Sequence, residues 1–219
     1  MTQSLKDQIH DKILDNIINN KYEINDFLKE NALAGEFGVS KAPVREALIQ
    51  LCNEGIIRSI PRLGYQIIRL TERDIWEATQ FRIILELEGL RLSFESLEKD
   101  AIDCLTQLTN ETEYIKMGKS VSLEEWWENN ALFHITLISY AKNTLLTDSL
   151  RKTMHLLWRA VAQLFGNSGQ KSYLSYNPKS HIIVCEAISE KDFKKAEDLL
   201  RKDIASILNT YSLANTIKI

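Results

Sequence analysis

The chain has 219 residues, of which 44% are hydrophobic and 26% are charged. This balance is typical of a folded globular protein and excludes a disordered or fibrous one. Eight glycines and three prolines are few for this length, so the predicted fold class is mostly α, and the length favours two domains. The formal charge of −3 excludes a basic field over the whole molecule, so binding to nucleic acid needs a local basic patch.

The first elements are predicted to be short, because four of the eight glycines and two of the three prolines fall between residues 35 and 64. Apolar residues at three- and four-residue steps from Leu5 to Ile17 predict a first helix, and residues 30–37 fit a second. Ser40 is predicted to cap a third helix, which Gly55 ends. Two β-branched runs, 56–60 and 65–68, predict a hairpin.

From Thr71 onward the pattern changes to long helices. Thr71 and Asp74 have the spacing of a capping box, and Ser122 with Glu125 is a second such start. The predicted helices cover residues 71–96, 99–117, 122–141, 144–165, 178–189 and 191–213. Because no strand pattern competes with them, this half is predicted to be a bundle of about six helices.

The chain lacks the features of an exported or membrane protein. No run of about 18 apolar residues occurs, and the first residues lack the apolar core of a signal peptide. We therefore expect a cytoplasmic protein that does not contact a membrane. Cys52, Cys104 and Cys185 lie far apart without the paired spacing of a zinc site, which predicts buried thiols in a reducing compartment.

The stretch GVSKAPVREAL, residues 38–48, with Leu51, residues 54–57 and Gly64 after it, closely resembles the winged helix-turn-helix of the GntR family of bacterial transcription regulators. The second half resembles the ligand-sensing domain of the FadR-like (FCD) branch. The residues that carry this second resemblance are Arg82, Leu85, Glu86, Phe133, His134, His181, Ala187, Ile188, Asp192 and Ala196. The resemblance implies a DNA-binding domain at residues 1–70 and an effector-sensing helical bundle at residues 71–219.

Basic charge is concentrated where such a domain would meet DNA. Residues 41–69 carry a net charge of +3, whereas residues 1–40 carry −3. The N-terminal residues of a helix presented by a tight turn can reach base edges and phosphates in the major groove. The candidate DNA-binding residues are Ser40, Lys41, Ala42, Pro43 and Arg45 on the helix, and Arg62 and Gly64 at the hairpin tip. The alternative is a winged helix used only for protein contacts. Asn31 departs from the family, which commonly has arginine or another polar residue there.

Three predicted helices carry polar residues within apolar faces. Asn130 and His134 lie one turn apart on one helix, while His181 and Asp203 lie on two others. A carboxylate on such a face loses hydration unless a partner compensates. By position, the resemblance implies that Asn130, His134, His181 and Asp203 bind a divalent metal, although the family usually has aspartate first and histidine last. Two imidazoles and a carboxylate suit Zn²⁺, Ni²⁺, Mn²⁺ or Fe²⁺. A metal-free hydrogen-bonded network is the alternative.

The resemblance further implies a small organic acid as effector, with Arg82 as the cation that opposes its carboxylate. The alternative for Arg82 is a structural ion pair with Glu86, four residues later. The leading hypothesis is a ligand-responsive homodimeric regulator that binds a palindromic double-stranded DNA operator. A regulator without small-molecule sensing is a second hypothesis. A metalloenzyme with an accessory winged helix is a third, but no nucleophile or acid–base motif accompanies the candidate ligands.

Overall fold

The computed structural model describes residues 3–22, 26–111, 123–165 and 178–216. The fold is mostly helical with one small sheet, as the composition predicted. The chain divides into two compact units, Met1–Leu70 and Thr71–Ile219, which are described separately below. Among the described residues, no helix is both long and apolar enough to cross a membrane.

The N-terminal unit packs three helices against a three-stranded antiparallel sheet. Its elements are α1 (Leu5–Ile18), β1 (Phe27–Leu28), α2 (Glu30–Phe37), α3 (Lys41–Asn53), β2 (Ile57–Ile60) and β3 (Gly64–Ile67). The strand order is β1-β3-β2. The two-residue strand β1 is absent from the sequence prediction because two residues cannot show alternation. Ile13, Val44 and Leu48 are fully buried in the core that joins these elements.

Left-handed glycines shape the turns that present α3 and the hairpin. Gly38 ends α2 at φ +67° and donates its N–H to the Ala34 carbonyl, as its position predicted. Gly64 has φ +121°, and a Cβ there would lie 2.5 Å from the Leu28 carbonyl oxygen. Only glycine therefore fits where β3 passes β1. Ser40 stands at the N-cap of α3, as its position predicted, although its side chain makes no capping hydrogen bond.

The C-terminal unit consists of six α-helices among its described residues. They are α4 (Glu72–Ser93), α5 (Lys99–Glu111), α6 (Leu123–Ser139), α7 (Thr144–Phe165), α8 (Pro178–Ser189) and α9 (Phe193–Thr216). The capping box of Thr71 and Asp74 is present at the start of α4. The predicted cap Ser122 and the predicted helical residues 112–117 lie outside the described residues.

Three predictions from the pattern need correction. The helix that begins after Thr71 ends at Ser93 and is followed by a short 3₁₀ turn, Phe94–Ser96. The last helix begins at Phe193 rather than Lys191, because Lys191 has a left-handed φ of +57°. Of the three thiols predicted to be buried, only Cys185 is; Cys52 is half-buried and Cys104 is exposed.

Candidate functional site

The candidate DNA-binding residues gather at the start of α3 and at the turn between β2 and β3. Ser40, Lys41, Ala42 and Arg45 are exposed, and Pro43 is half-buried. The opposite face of α3 is anchored in the core by its buried residues Val44, Ala47, Leu48 and Leu51. Arg62, exposed at φ +68°, and half-buried Gly64 form the hairpin tip. A helix held in this way presents a polar N-terminal end of the kind that enters a major groove.

Arg45 is held in place before any DNA is bound. Its Nε lies 3.0 and 3.1 Å from the two carboxylate oxygens of Glu30, and its Nη2 donates to Oε2 at 2.8 Å. The Tyr65 hydroxyl also donates to Glu30 Oε1, at 3.3 Å. The hydrogen bonds from Arg45 are the main cause of the lowered pKa of Glu30, so this carboxylate stays ionised. Sequence reasoning did not identify Glu30.

His10, which had no assigned role, is a buried link between α1 and the end of α3. Its Nε2 lies 2.8 Å from Glu54 Oε2, and its Nδ1 lies 2.8 Å from Asp11 Oδ1. Burial opposes protonation, but the two carboxylates outweigh it and raise the pKa of His10. His10 lies beside Ile9 and three residues before Ile13, which are both buried. This spacing is the sequence signal that could have predicted its burial. Its partner 44 residues away had no sequence signal.

The polar cluster of the C-terminal unit is formed by four helices. It comprises Arg82 and Glu86 on α4, His134 on α6, His181 on α8 and Asp203 on α9. His134, His181 and Asp203 each offer one ligand atom, and these three atoms lie within 4.8 Å of one another. The structure therefore brings together three of the four candidate metal ligands. Asn130 is half-buried one turn before His134 on α6, which places it on the same side of that helix.

His134 is fully buried between two carboxylates. Its Nδ1 lies 2.6 Å from Glu86 Oε2, and its Nε2 lies 3.1 Å from Asp203 Oδ2. Although this second distance is short, Nε2 makes no hydrogen bond to any residue that the structure describes. Burial and the charge of Arg82 oppose protonation, yet the carboxylates of Glu86 and Asp203 raise the pKa of His134.

His181 and Asp203 complete the candidate ligand set. His181 Nε2 lies 3.6 Å from Asp203 Oδ2, and its ring stacks on Phe133 with the centroids 3.9 Å apart. Burial lowers the pKa of His181, which favours the neutral imidazole that a metal requires. Burial opposes ionisation of Asp203, but its contacts with the two histidines hold its pKa well below the usual value. The Ser180 hydroxyl donates to Asp203 Oδ1 at 2.5 Å.

Arg82 is buried and forms the predicted alternative contact, an ion pair from Nε to Glu86 Oε1 at 2.5 Å. Its Nη2 is buried as well and has no hydrogen-bond partner among the described residues. Glu86 uses its other oxygen for His134, so this one carboxylate connects Arg82 to a candidate ligand. Burial opposes ionisation of Glu86, but Arg82 and His134 outweigh it and lower its pKa. Sequence reasoning named Glu86 as a residue that carries the resemblance and as a partner of Arg82, but not as a partner of His134.

The cluster fits a divalent metal by the chemistry of its donors. Glu86, which is ionised, holds the proton of His134 on Nδ1, so the orphaned Nε2 presents a lone pair when His134 is neutral. A carboxylate behind a metal-binding histidine is the usual arrangement, because it fixes the tautomer and the ring orientation. Two imidazole nitrogens and one carboxylate with open positions then suit a first-row divalent ion.

Each of the two units matches a known protein family. Residues 5–67 match the bacterial regulatory proteins of the gntR family, and residues 77–206 match the FCD domain. The chain belongs to the GntR family. It is 38% identical over 197 residues to the gluconate operon transcriptional repressor of Bacillus licheniformis, covering 86% of this chain and 75% of that one.

Two further proteins resemble the chain over most of its length. The probable D-xylose utilization operon transcriptional repressor of Paenarthrobacter nicotinovorans is 24% identical over 208 residues, which are 95% of this chain and 89% of that one. The structure of E. coli McbR/YncC shares the fold, with a TM-score of 0.73 at 18% identity over 100% of both chains. The family model describes regulatory proteins and the relatives with repressor names are regulators, so the chain is a transcriptional regulator and not a metalloenzyme.

Proposed function

We propose that this GntR-family protein acts in the cytoplasm as a homodimer that binds a palindromic operator under the control of a small carboxylate effector. The observation that carries the proposal is the exposed N-terminal end of α3, where Lys41 and Arg45 lie one helical turn apart on a core-anchored helix. One recognition helix buries too little surface for strong sequence discrimination. A two-fold dimer reads two half-sites and removes this limit.

An exposed apolar face on α4 supports dimerisation through the C-terminal unit. Phe81, Ile84 and Leu92 lie on one side of this helix and are 47%, 65% and 46% exposed. Neighbouring large apolar side chains on a soluble surface mark a contact with a partner. A second copy of the chain is the partner that a palindromic site requires, because a two-fold interface uses the same surface of both subunits.

A palindromic duplex is expected to bind far more tightly than a duplex carrying one half-site. The operator is first selected from random duplexes with the full-length chain, and affinities are then measured by gel-shift titration at fixed salt.

Light scattering should give a dimer, and Ile84→Glu should shift it toward monomer because a charge enters the apolar face. Asp103→Asn, an exposed change on α5 rather than on this face, is the control. Equal affinity for half and full sites from a wild-type monomer would contradict the proposal.

We further propose that a divalent metal is held by His134, His181 and Asp203. The amide oxygen of Asn130 is the proposed fourth ligand. The orphaned Nε2 of His134 and the carboxylate behind its Nδ1 support this assignment. An asparagine in place of aspartate leaves the ligand set with one formal negative charge instead of two. That difference predicts weaker binding than an all-anionic oxygen set allows.

The purified protein is expected to contain about one divalent metal per chain, or to take one up with a rise in melting temperature. Elemental mass spectrometry measures the metal content, and His134→Ala and His181→Ala should each lose it. Asn130→Asp should tighten binding by restoring an anionic ligand. Because binding needs neutral imidazoles and the pKa of His134 is raised, metal affinity should fall as the pH drops, and the fall should begin above the ordinary histidine pKa of about 6.5. His155→Ala, an exposed histidine of α7, is the control. No uptake of Zn²⁺, Ni²⁺ or Mn²⁺ and an unchanged melting temperature would establish the metal-free network instead.

The effector proposal rests on the charges of the cluster and on Arg82. The buried Nη2 of Arg82 supplies a donor without a hydrogen-bond partner among the described residues, which suits a carboxylate. With neutral histidines, the charges of Arg82, Glu86 and Asp203 sum to −1, so a divalent ion makes the site +1. A monoanion then neutralises it. Gluconate, the acid named for the operon of a related repressor, is such a monoanion.

Gluconate is expected to raise the melting temperature of the metal-loaded protein and to change its affinity for the selected operator. Glucitol has the same carbon skeleton and hydroxyl groups but no carboxylate, so it serves as the matched control ligand. Thermal unfolding and operator titration measure the two effects. If glucitol and gluconate act alike, or if neither acts, a gluconate-type acid is not the effector.

A further inference from the structure

The contact between Glu30 and Arg45 fixes the orientation of the guanidinium group at the proposed DNA-binding surface. Resting on the proposed DNA binding by Arg45, we propose that Glu30 is a positioning residue that sets base specificity. It holds the guanidinium so that the opposite edge meets one guanine in each half-site. Glu30 thereby determines which base pair Arg45 reads, although Glu30 itself does not touch the DNA.

A guanidinium group has two edges that can each make a paired contact with two acceptors. Glu30 occupies the edge formed by Nε and Nη2 of Arg45. The remaining edge, formed by Nη1 and the outer N–H of Nη2, therefore points away from the carboxylate. Paired donation to O6 and N7 of guanine is the commonest specific arginine contact in the major groove. The occupied edge thus selects the edge that is presented to DNA.

Glu30 is itself fixed by three elements of the N-terminal unit. It is the first residue of α2, where the positive end of the helix dipole stabilises a carboxylate. Tyr65 of β3 donates to its Oε1 and packs against the hydrophobic core. Arg45 comes from α3 and is exposed, whereas Glu30 is half-buried. The half-buried carboxylate is therefore the positioning partner, and the exposed arginine is the side chain that it positions.

A contribution to stability alone does not explain this arrangement. Ion pairs that involve an exposed arginine contribute little to folding, and they are screened by salt. Holding the arginine in one geometry instead removes side-chain entropy before binding, so less is lost when the base contact forms.

The test compares Glu30→Gln, Arg45→Ala, the double variant that combines these two changes, and Glu36→Gln, all in the full-length chain. Glu36 is the matched control, because it lies on the same helix and pairs with Lys21 and Tyr22 instead of Arg45. Operators are selected from random duplexes with each variant. Affinities are then measured for the wild-type operator, for single-base-pair variants of it and for a random duplex, all at one salt concentration.

Arg45→Ala should lose the base preference at one position of each half-site, and Glu30→Gln should lose the preference at the same position. The double variant should show no further loss of preference than Arg45→Ala alone. The preference at that position should fall by about 5- to 100-fold, while Glu36→Gln keeps it. Binding of Glu30→Gln to a random duplex should stay equal or rise, because a negative charge is removed. A structural defect in the variant would instead weaken its binding to all duplexes by a similar factor.

Two results would overturn this role of Glu30 while leaving DNA binding intact. In the first, Glu30→Gln binds the operator more tightly than the wild type and keeps the preference, which makes Glu30 a mask that DNA displaces. In the second, Arg45→Ala loses affinity evenly across sequences, which makes Arg45 a phosphate contact. A wild-type selection that yields no common sequence would remove the proposed function and this inference together.

Discussion

Replacing Glu86 by alanine is expected to lower the free energy of unfolding by about 3–5 kcal/mol. Glu86 is fully buried and accepts from both Arg82 and His134. Its removal leaves the guanidinium of Arg82 as a buried charge without compensation, and it removes the partner of His134 Nδ1. Urea denaturation followed by far-UV circular dichroism measures the change as a lower midpoint.

The control for this prediction is Glu88→Ala on the same helix. Glu88 pairs with Arg91, and both side chains are exposed, so this change should cost less than ~1 kcal/mol. Replacing Arg82 by methionine together with Glu86→Leu removes both charges and should recover part of the loss. Equal midpoints for Glu86→Ala and Glu88→Ala would show that the buried pair does not stabilise the bundle.

Replacing Arg45 by alanine is expected to abolish operator binding under the conditions in which the wild type binds. Loss of one guanine contact costs roughly 1–3 kcal/mol per half-site, and a palindrome contains two such contacts. The operator affinity should therefore fall by about 30-fold to 10⁴-fold. Fold and dimerisation should be unchanged, because Arg45 is exposed on the outer side of α3. Fluorescence anisotropy at fixed salt measures the affinity.

Arg58→Ala provides the matched control for Arg45→Ala. Arg58 is an exposed arginine of the same unit, and it donates to Gln66 across the hairpin instead of lying on α3. It should keep most of the operator affinity, with at most a small change from the lost charge. Near-wild-type binding by Arg45→Ala would remove this residue from the DNA interface.

The elements of the N-terminal unit follow from signals between near neighbours in the chain. Apolar spacing predicted α1 to α3, and β-branched runs predicted the hairpin, since both patterns depend on backbone periodicity. The same patterns failed where the local signal was weak, as in strand β1, which is too short to show alternation. Ser40 occupies the predicted cap position, but its side chain makes no capping hydrogen bond.

The candidate metal cluster was partly predictable for a related reason. A histidine or aspartate in an apolar stripe shows that a polar group faces the core, which identified His134, His181 and Asp203. The sequence does not specify how far each helix rotates against its neighbours, so it could not show which carboxylate meets each imidazole. The structure places Glu86 against His134 across 48 residues, and it leaves Asn130 only half-buried nearby.

The sequence by itself therefore predicted most of the elements in their order, the family and the candidate site residues, because those signals lie within a few helical turns. Only the tertiary structure decided the partners of Arg45, His134 and His10. These contacts join residues that are 15, 48 and 44 positions apart in the chain. Such pairings follow from how the helices pack, which no short pattern in the chain encodes.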